Sequence, residues 1–412
     1  MERKMELTKQ PGALSGLRVV DLTQMLAGPF CTQILADHGA DVVKIETLKG
    51  DGTRPIGPFR DDDTLRDFGG YFQSVNRNKR SIAVDLKTAH GCAVVRKLID
   101  GADIVVENFR SGVMERLGLS FERLKETNPR LVYGAVRGFG DPRSGESPYA
   151  DWPAYDVVAQ AMGGMMGITG PDRNTPVKIG PGIGDTIPAL MLCIGILAAV
   201  HRARESGEGQ FVDVAMTDCI LAVCERIVYQ TSYTGVVPAP EGNRHPLYCP
   251  FGLFRASDGY VSIACVHDEF WRKLATVIGR PELIEDEAFA TNEARVQNAQ
   301  LVVTTIEAFT STRTKEELAQ CIGGRVPFGP VYTAAEIFND PHYEVRDMLV
   351  TVEQPGSASP VQIAGVPIKM SATPGRVRHR APMLGEHTDE ILLGAGYAAR
   401  DIETMRETGA VR

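Results

Sequence analysis

The stretch LRVVDLTQMLAGPFCTQILADHGADVVKIE, residues 17–46, carries the pattern that decides the fold. Residues 17–22 form an apolar run typical of a buried strand, and residues 41–46 form a second one. Between the two runs, Pro29 suits the first turn of a helix, where its missing N–H is not needed, and Gly39 suits the helix end. The stretch therefore predicts a compact β-α-β unit.

The same alternation recurs toward the middle of the chain. Further strands are predicted at residues 81–86, 103–107, 131–136 and 210–215, with a helix at 87–98 between the first two. Alternating strands and helices favour a parallel sheet covered by helices and joined by right-handed crossovers. We therefore predict an α/β fold.

The composition changes at residues 234–250, which hold four prolines and two glycines and predict a linker. A strand at 260–266 and a helix at 269–278 follow and indicate a second, smaller unit. A chain of 412 residues has room for two such domains.

Charge and composition exclude several classes of function. The net charge is −8 and no basic run reaches five residues, so we expect no nucleic-acid partner. The eight cysteines form no C-x-x-C pair and the histidines do not cluster, so we expect no metal site. The apolar run at 187–200 has 14 residues, below the roughly 20 that span a bilayer, and the amino terminus lacks an apolar leader. We expect no membrane partner and a cytoplasmic location.

The glycine-rich segment Gly180-Pro-Gly-Ile-Gly-Asp185 stands directly before a long apolar helix. Asp185 or Thr186 is the expected N-cap of that helix, and the positive end of the helix dipole should keep the Asp185 carboxylate ionised. Gly182 and Gly184 would let a ligand approach the backbone and leave N–H groups free to bind an oxyanion. The alternative is that Asp185 is only a helix cap.

Two small basic groups lie next to predicted strands, one before the strand at 81–86 and one after the strand at 103–107. One is Arg77 with Lys79 and Arg80, and the other is Arg110 with Arg116. Each is either a solvated loop or an anion site, because ligands of open α/β sheets collect at the carboxyl ends of strands.

Taken together, the motifs resemble those of the family III CoA-transferases, the CaiB/BaiF group, over nearly the whole chain. The matching segments are Asp21-Leu-Thr23 with Ala27-Gly-Pro29, Gly39 to Glu46, Asn78-Lys-Arg-Ser81 with Asp85-Leu-Lys87, Val106-Glu-Asn-Phe109, Tyr155-Asp156 with Gln160-Ala161, Gly184-Asp185, Gly209 to Asp213, Asp258-Gly259, Pro327 to Val331 and Leu384-Gly-Glu-His-Thr388.

The resemblance implies a large Rossmann-like CoA-binding domain built from residues 1–233 and 348–412, with the linker and small domain at 234–347. It also implies an interlocked homodimer. Asp185 matches the family's catalytic aspartate, and Tyr155 and Asp156 match residues of the substrate pocket. The positions implied to hold CoA are Leu26, Ala27, Val84, Lys87, Asn108, Phe109, Arg110 and Arg116.

The implied reaction transfers CoA between two carboxylic acids through an aspartyl mixed anhydride and an aspartyl-CoA thioester. Acyl-CoA is then a substrate, small carboxylic acids are the other partners, and no tightly bound cofactor is expected. The chain looks most like the succinyl-CoA-dependent dicarboxylate members. Thr47, where some members have arginine, and Glu241-Gly-Asn-Arg-His245, in place of a glycine-rich loop, depart from the formyl-CoA transferases.

Two other functions stay open at this point. An α-methylacyl-CoA racemase has the same fold, but it has histidine where this chain has Tyr155, and tyrosine is a poor base at neutral pH. A non-catalytic CoA-binding protein would not need Asp185. For the acceptor acid, a second carboxylate could pair with Arg54, Arg77, Arg137 or Arg244.

Overall fold

The structure is a computed structural model and describes residues 11–412. Its main sheet has six strands: β1 (Arg18–Asp21), β2 (Asp41–Glu46), β3 (Arg80–Ala83), β4 (Ile104–Glu107), β5 (Val132–Arg137) and β6 (Phe211–Ala215). Every neighbouring pair is parallel, and the order is β3-β2-β1-β4-β5-β6. The predicted α/β fold with a parallel sheet is confirmed.

Helices cover this sheet and connect its strands. They are α1 (Ala27–Asp37), α2 (Gly70–Val75), α3 (Ala89–Asp100), α4 (Val113–Arg116), α5 (Phe121–Thr127), α6 (Asp156–Met162), α7 (Ile183–Ser206), α8 (Met216–Val223) and α9 (Glu225–Thr234). Short 3₁₀ turns lie at Pro142–Ser144 and Met165–Ile168. One apolar core of the sheet is built around Val20, which lies opposite Val43 on β2 and Val105 on β4.

By its internal contacts the chain forms two units. Among the described residues, the first holds 11–165, Ile179–Val228 and Pro341–Arg412, and the second holds Met166–Lys178 and Tyr229–Asp340. The carboxyl-terminal part of the first unit contains α15 (Pro341–Val345), the antiparallel pair β10 (Leu349–Val352) and β11 (Val361–Ala364), and helices α16 (Thr388–Gly394) and α17 (Ala399–Glu407).

The second unit has its own antiparallel sheet and core. Its strands are β7 (Phe251–Ala256), β8 (Gly259–Ala264) and β9 (Phe328–Pro330), and its helices are α10 (Asp268–Val277), α11 (Asn292–Gln297), α12 (Ala299–Thr310), α13 (Lys315–Ile322) and α14 (Ala334–Asn339), with a 3₁₀ turn at Pro281–Ile284. Trp271 is fully buried and stacks on Phe289.

Local signals placed some boundaries wrongly. Thr217 has a side chain typical of an N-cap and predicts a helix that runs from there toward residue 233. That prediction is wrong, because the structure has two helices, α8 and α9, and α8 begins at Met216. Strand β7 begins one residue after the predicted linker and was not predicted. The prolines just before β7 indicated a linker. The strand forms because it pairs with β8, and no local sequence preference reveals that pairing.

Helix α7 extends beyond the apolar run at residues 187–200 in both directions. It has 24 residues, and by length and composition alone it could cross a membrane, so the expectation that the run is too short is wrong. Its buried face packs on α1, β5 and β6. A side chain at Gly134 of β5 would lie 2.8 Å from Ile196 of α7, so that glycine permits the close approach. The core helices of soluble proteins pass the same length test.

Candidate active site

The strand order reverses between β1 and β4, and a cavity of about 320 Å³ lies where the loops after these strands meet. Parallel α/β sheets bind ligands at such a reversal, because the loops diverge to opposite faces and leave a crevice. Seven of the predicted site residues line this cavity: Leu26, Ala27, Asn108, Phe109, Arg110, Tyr155 and Asp185.

A larger cavity, of about 750 Å³, lies at the opposite, amino-terminal ends of β2 and β3. Its walls include Asp41, Arg80 and Glu390, and Arg80 is already paired with both carboxylates. Lys79 and Arg80, from one of the two basic groups, line it, but none of the residues predicted for catalysis, CoA or the substrate pocket does. We place the candidate site in the smaller cavity because only that one contains Asp185.

Three of the predicted CoA-binding residues do not line the cavity. Val84 is buried beyond the end of β3 and pairs with Val411. Lys87 and Arg116 are exposed at the surface of the same unit. Their assignment to CoA therefore stays a prediction from the resemblance, since no contact of these side chains with the cavity supports it.

Asp185 lies in the first turn of α7, not at its cap. The helix begins at Ile183 after Gly182, so the predicted capping role for Asp185 or Thr186 is wrong. The first-turn N–H of Gly184 instead donates to Oδ1 of Asp156, at 2.8 Å. Asp156 is the first residue of α6, so a neighbouring helix supplies the acceptor that a local cap would otherwise provide.

The Asp156 carboxylate is fixed by a second donor. Nε2 of Gln160 lies 2.8 Å from the same Oδ1, one turn further along α6. Oε1 of Gln160 also accepts the N–H of Ile179, at 3.0 Å, and so ties the segment before α7 to α6. Gln160 is fully buried. Its spacing of four residues from Asp156 places both on one helix face, and that spacing was the available sequence signal for its role.

The electrostatic environment of Asp185 differs from the expected one. Burial raises the pKa of its carboxyl to about 7, and the negative charge of Asp156 adds to the rise. The expectation that the helix dipole keeps this group fully ionised at neutral pH is therefore wrong. The dipole contributes about 0.3–1 kcal/mol at exposed sites, which is less than the cost of removing a carboxylate from water.

The two glycines before Asp185 leave room for neighbouring protein groups. A Cβ on Gly184 would lie 2.4 Å from the backbone oxygen of Asp156, and a Cβ on Gly182 would lie 2.9 Å from Leu26. Such distances exclude a larger side chain unless the neighbours move. The glycines therefore let α6 and the loop after β1 approach Asp185 closely.

Buried charges hold the loop between β1 and α1. Asp21 is fully buried, accepts the N–H of Thr23 at 2.9 Å and pairs with Lys79 at 3.0 Å. Lys44 is also buried and donates to the backbone oxygen of Thr23 at 2.8 Å. Met25 has a φ of 69°, which is uncommon for a residue other than glycine, and the loop must supply the contacts that hold it there.

Asn108 lines the cavity and also helps to hold the loop between β1 and α1. Its Oδ1 accepts the N–H of Gln24 at 3.0 Å, and its Nδ2 donates to the oxygen of Gln24 at 2.7 Å. The amide thus joins the loop after β4 to the loop after β1. This contact gives Asn108 a structural role in addition to the CoA contact that the resemblance implies.

Of the four arginines predicted as possible ligands of a second carboxylate on the acceptor acid, three already pair with carboxylates of the protein. Arg54 pairs with Glu46 and Arg77 with Asp37, each at 2.7 Å. Arg137 lines the cavity but pairs with Glu107 and Asp141. Arg244 belongs to the second unit and is exposed.

Tyr71, on α2, was not singled out by the sequence. Burial raises the pKa of its hydroxyl to about 12, and Asp185, Asp51 and Asp156 contribute because they are nearby negative charges. Its half-buried phenol therefore stays protonated at neutral pH. No local motif marks this tyrosine.

No metal-binding group was found within the part of the chain that the structure describes: residues 11–412 contain no cluster of three His, Cys, Asp or Glu side chains placed to hold an ion.

Comparison with known proteins identifies the family. Residues 14–388 match the model of CoA-transferase family III. The succinyl-CoA:mesaconate CoA-transferase of Haloarcula hispanica is 47% identical over 385 residues, covering 93% of this chain and 97% of that protein. The succinate–glutarate CoA-transferase of Agrobacterium fabrum is 38% identical over 404 residues, covering 96% and 97%. A CaiB/BaiF family protein from Brucella suis superposes with a TM-score of 0.83 at 38% identity, over 94% of this chain and 100% of that structure.

Proposed function

The chain belongs to CoA-transferase family III, and from that premise we propose that it moves CoA from succinyl-CoA, or another dicarboxylyl-CoA, to a second small carboxylic acid by covalent catalysis at Asp185. The observation that carries the proposal is the position of this carboxylate. It lies on the wall of the crevice at the strand-order reversal, beside the predicted CoA-binding residues Leu26, Ala27, Asn108 and Phe109.

The proposed reaction has two half-reactions. The Asp185 carboxylate attacks the thioester carbonyl, the C–S bond breaks, and an acyl-aspartyl anhydride and CoA thiolate form. The thiolate attacks the aspartyl carbonyl, which releases the donor acid as its carboxylate and leaves an aspartyl-CoA thioester. The acceptor carboxylate attacks that thioester in turn, and the thiolate then takes up the acceptor's acyl group and regenerates the Asp185 carboxylate.

A buried carboxylate with a raised pKa, such as that of Asp185, is a better nucleophile than a fully solvated one. Only the ionised form attacks, so protonation with a pKa of about 7 limits the rate on the acidic side. The same desolvation that raises the pKa leaves the ionised carboxylate poorly stabilised and therefore more reactive. Exclusion of water also protects the anhydride and thioester from hydrolysis.

The choice of dicarboxylic substrates is supported by the relatives. The Haloarcula hispanica and Agrobacterium fabrum proteins are named for succinyl-CoA with mesaconate and for succinate with glutarate. Each of these substrates is a dicarboxylic acid or its CoA thioester. For this chain we propose a C4 or C5 dicarboxylic acid as acceptor.

We further propose that the protein is a homodimer, as the resemblance implies. Helix α7 supports this with an exposed apolar row at Leu190, Met191, Ile194 and Leu197. A row of this kind on one helix face is typical of an interaction surface. Light scattering coupled to gel filtration measures the mass, and a monomer at micromolar concentration would contradict the proposal. The cytoplasmic location stays a prediction.

The test of the function uses succinyl-CoA and a panel of isotope-labelled mono- and dicarboxylates, with the CoA esters read by mass spectrometry. We expect a labelled dicarboxylyl-CoA from the wild type and none above background from Asp185→Ala, while CoA binding persists in the variant. Asp61→Ala, which removes an exposed carboxylate of the same unit, is the matched control. Turnover by Asp185→Ala would exclude covalent catalysis at this residue. Deuterium exchange into a 2-methylacyl-CoA without transfer would support the racemase instead.

A further inference from the structure

Arg137 is the last residue of β5 and is a cation on the wall of the candidate site. It is only 8% exposed. A positive charge in that position would ordinarily be assigned to a substrate carboxylate, because arginine binds carboxylates in a bidentate manner. The contacts of its guanidinium give a different assignment.

All three nitrogens of the Arg137 guanidinium already have protein partners. Nη1 pairs with Asp141, and Nη2 pairs with Glu107. Nε donates to the backbone oxygen of Phe109, at 3.1 Å. Both carboxyl groups are buried and already occupy the guanidinium, so an approaching substrate carboxylate would have to displace one of them.

Glu107, which pairs with Arg137, also contacts the backbone of Phe109. Its Oε2 accepts the backbone N–H of Phe109, at 2.7 Å. The Glu107–Arg137 ion pair therefore binds both backbone polar groups of Phe109. Phe109 and Arg110 form part of the cavity wall, and the resemblance implies that both contact CoA.

From these contacts we infer that Arg137 is a positioning residue that holds the segment Asn108–Arg110 in place for the acyl-CoA, and that it is not the ligand of the acceptor carboxylate. The inference rests on the proposed function, since it takes the cavity to be the acyl-CoA site. Arg137 fixes the backbone of Phe109 by donating to its oxygen and by holding the Glu107 carboxylate that accepts its N–H.

The test is the variant Arg137→Lys, studied with both a dicarboxylic and a monocarboxylic acceptor. Lysine keeps the charge but cannot reach Glu107, Asp141 and the Phe109 oxygen together, because its ammonium is a single point donor. We expect the KM for acyl-CoA and the Kd for CoA to rise roughly tenfold or more, the effect of losing one charge-assisted hydrogen bond. The KM values of both acceptor acids should change little.

Glu107→Gln is the second variant. Its amide oxygen can still accept the Phe109 N–H while the charge is lost, so we expect a smaller rise in the KM for acyl-CoA than in Arg137→Lys. Arg96→Lys is the matched control: Arg96 also donates to a backbone oxygen, that of Arg123, and lies outside the cavity wall. It should leave the KM for acyl-CoA unchanged.

The outcomes separate the possible roles. A rise in KM confined to the dicarboxylic acceptor would make Arg137 a substrate ligand and overturn the inference. A lowered melting temperature with unchanged KM values and unchanged Kd for CoA would also overturn it, because that result marks a purely structural residue. If the wild type binds CoA but transfers nothing, the proposed function fails while the Kd for CoA still decides the role of Arg137. A wild type that does not bind CoA would overturn both.

Discussion

Replacing Asp185 by asparagine should stabilise the protein at high pH, because the structure holds this carboxylate in an environment that opposes its charge. The pKa rises from 3.8 to about 7 on folding, mainly through burial. At about 1.4 kcal/mol per pH unit, the ionised form is disfavoured by roughly 4 kcal/mol. This is the cost that the fold bears to keep the carboxylate in the crevice.

The sign follows from proton linkage. Below pH 3.8 the carboxyl is protonated in both states and costs nothing. Between 3.8 and about 7 the unfolded chain loses the proton while the folded chain keeps it, so stability falls as the pH rises. Above pH 7 the full cost is present. From pH 5 to pH 9 the free energy of unfolding of Asp185→Asn, relative to wild type, should therefore increase by about 3 kcal/mol.

Urea unfolding followed by circular dichroism, at pH 5 and pH 9 and one fixed protein concentration, measures this difference. The cost of burying the asparagine amide is the same at both pH values and cancels. Asp61→Asn removes an exposed carboxylate of the same unit and controls for the change in net charge. A relative stability of Asp185→Asn that does not depend on pH would refute the reasoning about burial.

Two further substitutions test the surroundings of the site. Asp156→Asn keeps an oxygen that can accept the Gly184 N–H but removes the negative charge beside Asp185. The pKa of Asp185 should fall, so the acidic limb of the pH profile of kcat/KM should move to lower pH. An unchanged limb would contradict the electrostatic role of Asp156. Lys79→Met removes the ammonium that pairs with the buried Asp21 carboxylate and leaves only the charge of Lys44 to offset it, so the free energy of unfolding in urea should fall by about 3–5 kcal/mol. Adding Asp21→Asn to that variant should restore part of the loss, and no recovery would argue against the pair.

The sequence located the elements of the sheet well because their signal is local. Residues 41–46 were predicted as a strand and are β2, and the predicted strands at 131–136 and 210–215 lie within one residue of β5 and β6. Apolar runs of this length need burial on both faces, and a central parallel strand provides it. Asp185 was likewise found from its glycine setting and the family motif, and the structure places it on the wall of the cavity.

Errors arose where a distant segment supplied the partner. The start of α7 was placed too late because a local cap was expected, whereas the acceptor for its Gly184 N–H comes from Asp156 on α6. Gln160 was missed although its spacing of four residues from Asp156 was visible in the sequence, and Tyr71 was missed because no local motif marks it. Their roles depend on which helices lie side by side, and no spacing in the sequence fixes that for Tyr71.

What the sequence by itself determined is the α/β fold and the family, since periodicity and ordered motifs are properties of neighbouring residues; Asp185 as the reacting carboxylate stays a prediction. Only the tertiary structure shows what surrounds Asp185 and which carboxylates pair with Arg137. Both depend on charges from other elements: Asp156 acts on Asp185, and Glu107 and Asp141 engage Arg137. Electrostatic energies depend on distance and burial in space, so they are defined only when the chain is folded.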